Sequence, residues 1–588
     1  MATPTVKKEG IISARDVLTE YLKGDVAAVV TYKKISDVFE RIEKLPEANA
    51  QAFLEQIVGL SDLLGENCKI LVHNISKLKW SVLPVDMRES WRTLLCEIGV
   101  RHVFHLETIY KCAISNLLPV VTINEENEAV LALPNDDQEE LYAMAHSIVD
   151  QLLRCIPSSF NMAAKQFDRT FPHYTAPAIK FTSFVRNIVN ASEYAVSCRE
   201  KLWCTLIDNL VGIDALIGHP GDGEDSGAEI FVLEDEEDEQ LPEWEDSTAV
   251  HVVKLNGAMQ SIMQYLSASH GGPVDPNAVS WIHYTGTISE SIFSCLHVAF
   301  EKHLLTTRNV RFVSFLWMYL GSLHESYPRR ILSFLWDVMI RVTMVHGEAR
   351  KSHGAASYMA AFLARAKYID IALANEYLSL MAGYLASYVD KVGLSSSRII
   401  PGLAHHGLFY AMANAFFLAF AFRYREIVKS DLLDEVRHWC LGRFIHSSLD
   451  PLRYSVCSVA RCFAAVSRSL QLIYCNHVLP LSYDDVRRPF DPCFPFDTYS
   501  LDKTTELITP ITRKFSPMKE DTATLSRELK GVKKEEEEDE GALDFLDDDD
   551  MDYGSVKSFG PLSNGLFTTY SSTPGLRPFH VGSPMDTR

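Results

Sequence analysis

The chain has 588 residues, of which 47% are hydrophobic and 23% charged, and a formal net charge of −21. These are globular values for a chain long enough to hold several cores or one long array of stacked helices. Twelve cysteines are scattered singly with no CxxC pair, which excludes a disulfide framework or a zinc site and points to a reducing compartment.

The negative charge is not evenly spread. Leu202 to Val253 holds 15 Asp or Glu and no Lys or Arg, and Glu535 to Asp552 holds 12 more, again without a base. The remainder has 50 acids against 56 bases. A mildly basic body with two acidic ribbons follows. Such a body suits acidic partners or nucleic acid, and the ribbons repel both.

Taken in order, residues 1–10 ("MATPTVKKEG") read as a flexible start without the apolar core of a signal peptide. Helical periodicity then dominates residues 11–218. "AFLEQIVGLSDLL" and "TLLCEIGVRHVFHLETIYKCAI" place apolar residues at three- and four-residue steps. Cys112, Cys204, Cys295 and Cys462 sit in such apolar runs and read as small buried hydrophobes. Pro157-Ser158-Ser159 marks a helix start, where serine hydroxyls read as caps. Residues 219–246 combine Gly, Pro and acid and read as a mobile acidic loop. The glycines at 218, 221 and 223 are embedded in acids that would expel phosphate, so they form no phosphate cradle.

Residues 247–478 return to helical spacing. Ser326 and Pro328 open one helix, and Asp450-Pro451 opens another with a capping acid. "ASYMAAFLARAKYI" ends on Arg365 and Lys367. Two residues apart on a helix, these face roughly 200° apart, and last-turn cations suit the helix dipole. By itself that is an ordinary helix end. Upstream, Arg341, Arg350 and Lys351 place three cations within eleven residues, a thin footprint that reads as a solvated face rather than a phosphate track. His405-His406 has no nearby Cys or carboxylate and reads as a structural pair rather than a metal site. "LFYAMANAFFLAFAF" is shorter than the roughly 20 residues of a bilayer span and reads as a buried helix.

Residues 479–513 are rich in proline and aromatics and read as a segment packed on the helices. Residues 514–588 read as a disordered acidic tail in which Ser516, Thr573 and Ser583 each precede proline. Alternating strand patterns are nearly absent. The fold class is therefore all-α: a HEAT-like helical-repeat solenoid with a disordered acidic loop and C-terminal tail. No Walker loop, GxSxG elbow, HExxH or kinase set appears, so the chain reads as a binding protein with no cofactor, no metal and no catalytic residues.

Five blocks, in order, resemble one family, the RNA polymerase I transcription initiation factors known as TIF-IA or Rrn3. They are "CIPSSFNMAAKQFDRTFPH", "HGAASYMAAFLARAKYI" with its LARAK core, "HHGLFYAMANAFFLAFAFRYREI", "LDPLRYSVCSVARCFAA" and "DPCFPFDTYSLDKTTELITPI". Weaker similarity runs from about residue 15 to 515. The resemblance implies a HEAT-repeat protein that is not an enzyme. It would bind RNA polymerase I near its stalk and link it to the promoter-bound core factor, or selectivity factor, at ribosomal RNA genes. Phosphorylation would switch that binding in the nucleus, at the nucleolus.

The resemblance also implies residue roles. Ser158 and Ser159 fall in a serine patch facing the polymerase. Leu363, Arg365 and Lys367 fall in the core-factor contact, Arg365 first. Arg341, Arg350 and Lys351 match a segment proposed to touch DNA, so any rDNA contact is weak. Ser583 matches a "VGSP" tail motif. Members can self-associate, so a homodimer is open; no membrane is involved. The acid-serine cluster usual before the VPS turn is here "INEENEAVLALPNDDQEE", without serine, and Asp450 stands for the usual Asn. A helical-repeat scaffold or karyopherin-like transport protein is the alternative reading.

Overall fold

The computed structural model describes residues 13–125, 128–217, 246–272, 281, 289–307, 310–341, 346–395, 400–479, 494–497 and 499–518. The acidic loop before residue 246, the acid run 535–552, Thr573 and Ser583 lie outside the described residues.

The first half of the chain supplies α1 (Ala14–Leu22), α2 (Val26–Arg41), α3 (Glu47–Val58), α4 (Lys69–Lys77) and α5 (Val85–Arg101). Then come α6 (Leu106–Ser115), α7 (Asn135–Cys155), α8 (Phe160–Thr170), α9 (Ala178–Tyr194) and α10 (Arg199–Ile217). The local logic is clear in α7. Pro134 precedes it, Asp136 and Asp137 sit in its first turn, and Arg154 sits in its last. Leu141, Ala145, Ile148, Val149 and Leu152 form one buried stripe. Helices pack on the helix two places along, as in α2 on α4 or α3 on α5, and several also on the next one, as in α5 on α6 and α7 or α6 on α7 and α8. No single pair closes a core, so the apolar stripe of each is finished by its neighbours.

Stacking continues across the acidic segment, because α10 packs on both α11 (Asp246–Ser269) and α12 (Ser289–Ala299). The second half continues with α13 (Phe315–Ser322), α14 (Tyr327–Ile340), α15 (His346–Arg365), α16 (Ile371–Ser395) and α17 (Leu403–Lys429). Short α18 (Leu433–Arg437) and α19 (Leu441–Ile445), then α20 (Cys457–Ser469) and α21 (Asp502–Ile508), complete it. The long apolar run lies in α17 and is buried on all sides. Phe416, Phe417 and Phe420 pack on Phe463 of α20, with centroids 4.5 Å apart for Phe417. Among the described residues, no helix is long and apolar enough to cross a membrane. Cys112, Cys295 and Cys462 are buried and Cys204 is half-buried. Burial pushes the Cys112 thiol up to about 12, so it packs as a hydrophobe.

One feature adds detail to the expected near-absence of strands, and two others correct expectations. The first is a small hairpin inside the acid-rich stretch: β1 (Val121–Ile123) pairs antiparallel with β2 (Ala129–Leu131), Val121 opposite Leu131. The β-branched "VVTI" run favours it once the chain leaves α6. The second is Asp450. Its φ of 49° is left-handed and its side chain caps nothing. Pro451–Tyr454 is a 3-10 turn, and α20 starts only at Cys457. Asp, like Asn, tolerates this backbone region better than most residues, which explains the exchange without a cap. The third is the onset of the tail: residues 514–518 are packed, with Phe515 buried against Phe422 at 5.2 Å.

These last residues finish a strap that runs back over the second half of the stack. Residues 494–497 and 499–518 cross α11, α13, α15 and α17, and α21 rests on α11 and α13. The Lys503 amide donates to Asn256 Oδ1 at 3.3 Å, a tie across 247 residues.

Candidate functional site

The serine turn is a 3-10 turn, Pro157–Ser159, between α7 and α8. Its two serines differ. Ser158 is exposed, whereas Ser159 is 6% exposed. Ser159 Oγ donates to the Ile156 carbonyl at 2.6 Å and accepts from the Tyr110 hydroxyl at 2.7 Å. Burial pushes that hydroxyl up to about 12, so it stays protonated. Neither serine caps α8 through its side chain. The expected cap is thus replaced by a buried anchor and a displayed hydroxyl, and a paired Ser158/Ser159 surface is not formed.

Outward from this turn, contacts link one face. Asn161 of α8 meets Lys201 of α10, and Glu200 beside it pairs with Lys302 at 3.1 Å. Lys302 lies in Phe300–Leu304, a π-helical turn that prolongs α12. Its neighbour Glu301 receives Arg341 at 3.4 Å and Lys351 at 3.6 Å. Gly354 makes this approach possible, since a Cβ there would overlap the Leu305 carbonyl. Arg341 and Lys351 therefore converge on one carboxylate, while Arg350 is exposed. These contacts run from α8, the helix that follows the Ser158 turn, to Arg341 and Lys351.

LARAK lies at the other end of α15. Fourteen residues separate Lys351 from Arg365, about 21 Å along the helix. Leu363 is buried in the core with Ala364 and Ala366, so its side chain is not displayed. Arg365 is not displayed either: its side chain is 14% exposed, and Nη2 donates to Asp497 Oδ1 at 2.6 Å. The guanidinium also lies over the Phe422 ring, 5.3 Å from its centre. Burial lowers its pKa and the Asp497 charge opposes that shift. Only Lys367 of the three is exposed. Leu363 thus packs in the core and Arg365 holds the strap, so of the three expected contact residues Lys367 carries the exposed side chain. Helical spacing does not govern the pair, because α15 ends at Arg365 and Lys367 lies in the turn beyond it, its amide bonded to Ile511.

The strap seals this edge by backbone as well. The Arg513 amide donates to the Arg365 carbonyl at 2.6 Å, and the Lys367 amide donates to Ile511 at 2.9 Å. Ala366 and Thr512 thereby form an antiparallel bridge. Phe496 turns the strap at a φ of 65°, rare for a bulky residue. Its ring is buried against Phe315 at 5.3 Å and Phe362 at 4.8 Å. That packing maintains the strained backbone and aims Asp497 at Arg365.

Sequence reasoning missed Arg423. It is wholly buried in α17 and donates to the Leu363 carbonyl at 3.3 Å and the Ile369 carbonyl at 2.9 Å. It thus grips LARAK on both sides. Glu426 pairs with it at 3.0 Å and with Arg513 of the strap at 3.0 Å. Burial, then the Arg513 charge, lowers the Arg423 pKa to about 10, which leaves it a cation at neutral pH. The signal was a charge closing an apolar run. Ser516 is also in the strap, where its hydroxyl accepts from Arg425 Nη1 at 2.7 Å. Among the described residues no cluster of three or more His, Cys, Asp or Glu could hold a metal. His406 instead bonds the Tyr388 hydroxyl at 2.9 Å.

Comparison with known proteins agrees with this architecture. A crystal structure of the RNA polymerase I transcription initiation factor Rrn3 matches with a TM-score of 0.59 at 17% identity, covering 85% of this chain and 97% of that one. The Caenorhabditis elegans RNA polymerase I-specific transcription initiation factor tif-1A is 36% identical over 99% of this chain and 96% of its own length. The Mus musculus factor RRN3 is 24% identical over 99% of this chain and 90% of its own. Residues 12–520 match the family model described as RNA polymerase I specific transcription initiation factor RRN3. The chain belongs to that family of helical-repeat initiation factors.

Proposed function

We propose that this chain binds RNA polymerase I, near its stalk, through the surface around Ser158 and presents the strap-sealed LARAK edge to the promoter core factor. The observation that carries this reading is α15: one continuous helix runs from Lys351, which side-chain contacts link back to α8 beyond the Ser158 turn, to the LARAK edge. Such a rod holds two assemblies at a fixed separation without any catalytic group. The names of the relatives, all RNA polymerase I initiation factors, support the polymerase as partner and the nucleus as the place of action, and within it the reading places the chain at the nucleolus.

Phosphorylation is the switch in this reading. Phosphate on Ser158 adds roughly −1.5 to −2 charges to an exposed turn. Ser159, anchored to Ile156 and Tyr110, is the positioning residue beneath it. Lys367 carries the displayed charge of the LARAK edge, and Arg365 keeps the strap in place under it. Arg341, Arg350 and Lys351 add weak attraction to rDNA, with Arg341 and Lys351 tempered by Glu301. Phosphate on Ser516 would meet Arg425 and tighten the strap. Self-association as a homodimer would compete for whichever surface it covers.

The test pairs two single variants with purified partners. Ser158→Asp is expected to lose RNA polymerase I and keep core factor; Lys367→Ala is expected to weaken core factor and keep the polymerase. Wild-type co-purification of both partners by both variants would end the proposal.

A further inference from the structure

Beside LARAK, α16 and the turn after α17 enclose an open groove of about 620 Å3 lined by Ile371, Asn375, Leu380, Leu432 and Glu435. Leu380 is 43% exposed on its wall. Asn375 is only 5% exposed, yet its Oδ1 has no hydrogen-bond partner among the described residues. Leaving a buried acceptor unpaired is costly, and such groups usually mark a missing donor.

The charged residues that line the groove are both acids. Glu376 and Glu435 line it and no cation does. Glu376 is taken by Arg329 through two bonds of 2.9 Å. Glu435 has no ion pair among the described residues, and Asp431 lies exposed in the same turn. Asp434 of α18 pairs with Arg437. The floor is apolar and the site is one-sided, which fits a segment of protein laid along it better than an enclosed small molecule.

We infer that this groove receives a cationic, apolar segment of the same promoter-side partner that the LARAK edge meets. An Arg or Lys pairs with Glu435, and a neighbouring aliphatic side chain covers Leu380 and Leu432. The inference rests on the preceding reading for the partner's identity, though not for the chemistry of the groove. It places the second contact next to the first: Ile371 follows the Ile369 carbonyl that Arg423 holds.

The full chain with labelled Leu methyls is titrated with acetyl-Leu-Arg-Ala-Leu-Arg-amide and with its Gln and Glu counterparts. The Arg peptide is expected to move the Leu380 and Leu432 methyl signals, and Glu435→Gln to weaken it by about fivefold. Equal shifts with the Gln peptide, or none with any, overturn the inference. Purified core factor is then bound to Leu380→Glu and to Lys367→Ala chains. If only Lys367→Ala weakens binding, the groove is not a contact and the preceding reading stands. If the wild-type chain binds no core factor, that reading falls and the peptide titration alone decides the groove. Concentration-dependent dimerisation abolished by Leu380→Glu would mean that a second copy fills it, and would also overturn the inference.

Discussion

The serine turn and the LARAK edge look alike in sequence and differ in the fold. Each is a short polar punctuation at a helix end. At Pro157–Ser159 the structure opens the site: one serine is anchored inward and its neighbour faces solvent. At LARAK it closes the site: a strap segment 132 residues away lays Asp497 on Arg365 and leaves only Lys367 outside. Helix-end position therefore says little about display. A distant segment that shares no local pattern with the helix decides it.

The comparison is tested first at its buried end. Arg423→Ala removes the cation that grips the Leu363 and Ile369 carbonyls and leaves Glu426 half-paired. Breaking a buried charge pair in this way costs about 3–5 kcal/mol. A chemical-denaturation midpoint within error of wild type would show that LARAK does not depend on this clamp.

Ser159→Asp comes next. It forces a carboxylate beside Tyr110 and the Ile156 carbonyl, for a loss of about 2–4 kcal/mol. Ser158→Asp, on the exposed neighbour, should stay within about 0.5 kcal/mol of wild type. Equal losses at the two positions would erase the distinction between anchor and displayed hydroxyl.

Asp497→Ala has the third effect. The Arg365 pair is mostly buried, so its loss should cost about 1–3 kcal/mol. The strap is expected to become the first site of limited proteolysis, while helix content by circular dichroism stays constant. A strap as protease-resistant as in wild type would make the backbone bridge, rather than the ion pair, the fastening. Ser516→Ala should have the smallest effect, about 0.5–1.5 kcal/mol, because it removes one hydrogen bond from Arg425. Hydrogen exchange at the Met518 amide, which bonds the Tyr424 hydroxyl, reports it.

Much of the architecture was open to reading from residues alone. The Ser326-Pro328 helix start and the burial of the α17 run were expected, and they hold. Asp450 was misread, because a Pro-preceding acid looks the same whether it caps a helix or occupies a left-handed turn. Among the candidate side chains, helical spacing was expected to set Arg365 and Lys367 apart, but the helix ends at Arg365, and neither that stop nor the burial of Arg365 was legible. Arg423 and Asp497 were visible as letters, a charge closing a greasy run and an acid behind aromatics. Nothing local linked them to LARAK.

Hydrophobic periodicity by itself determined that this chain is a succession of helices with apolar stripes and no strand-rich core. That information is local, because residues three and four apart share a helix face whatever lies beyond. Only the tertiary structure decided which polar groups are shown. Exposure of Ser158, closure over Arg365 and the unpaired oxygen of Asn375 each depend on what packs against them from far along the chain. Burial is a property of neighbours in space, and no short window of sequence contains them.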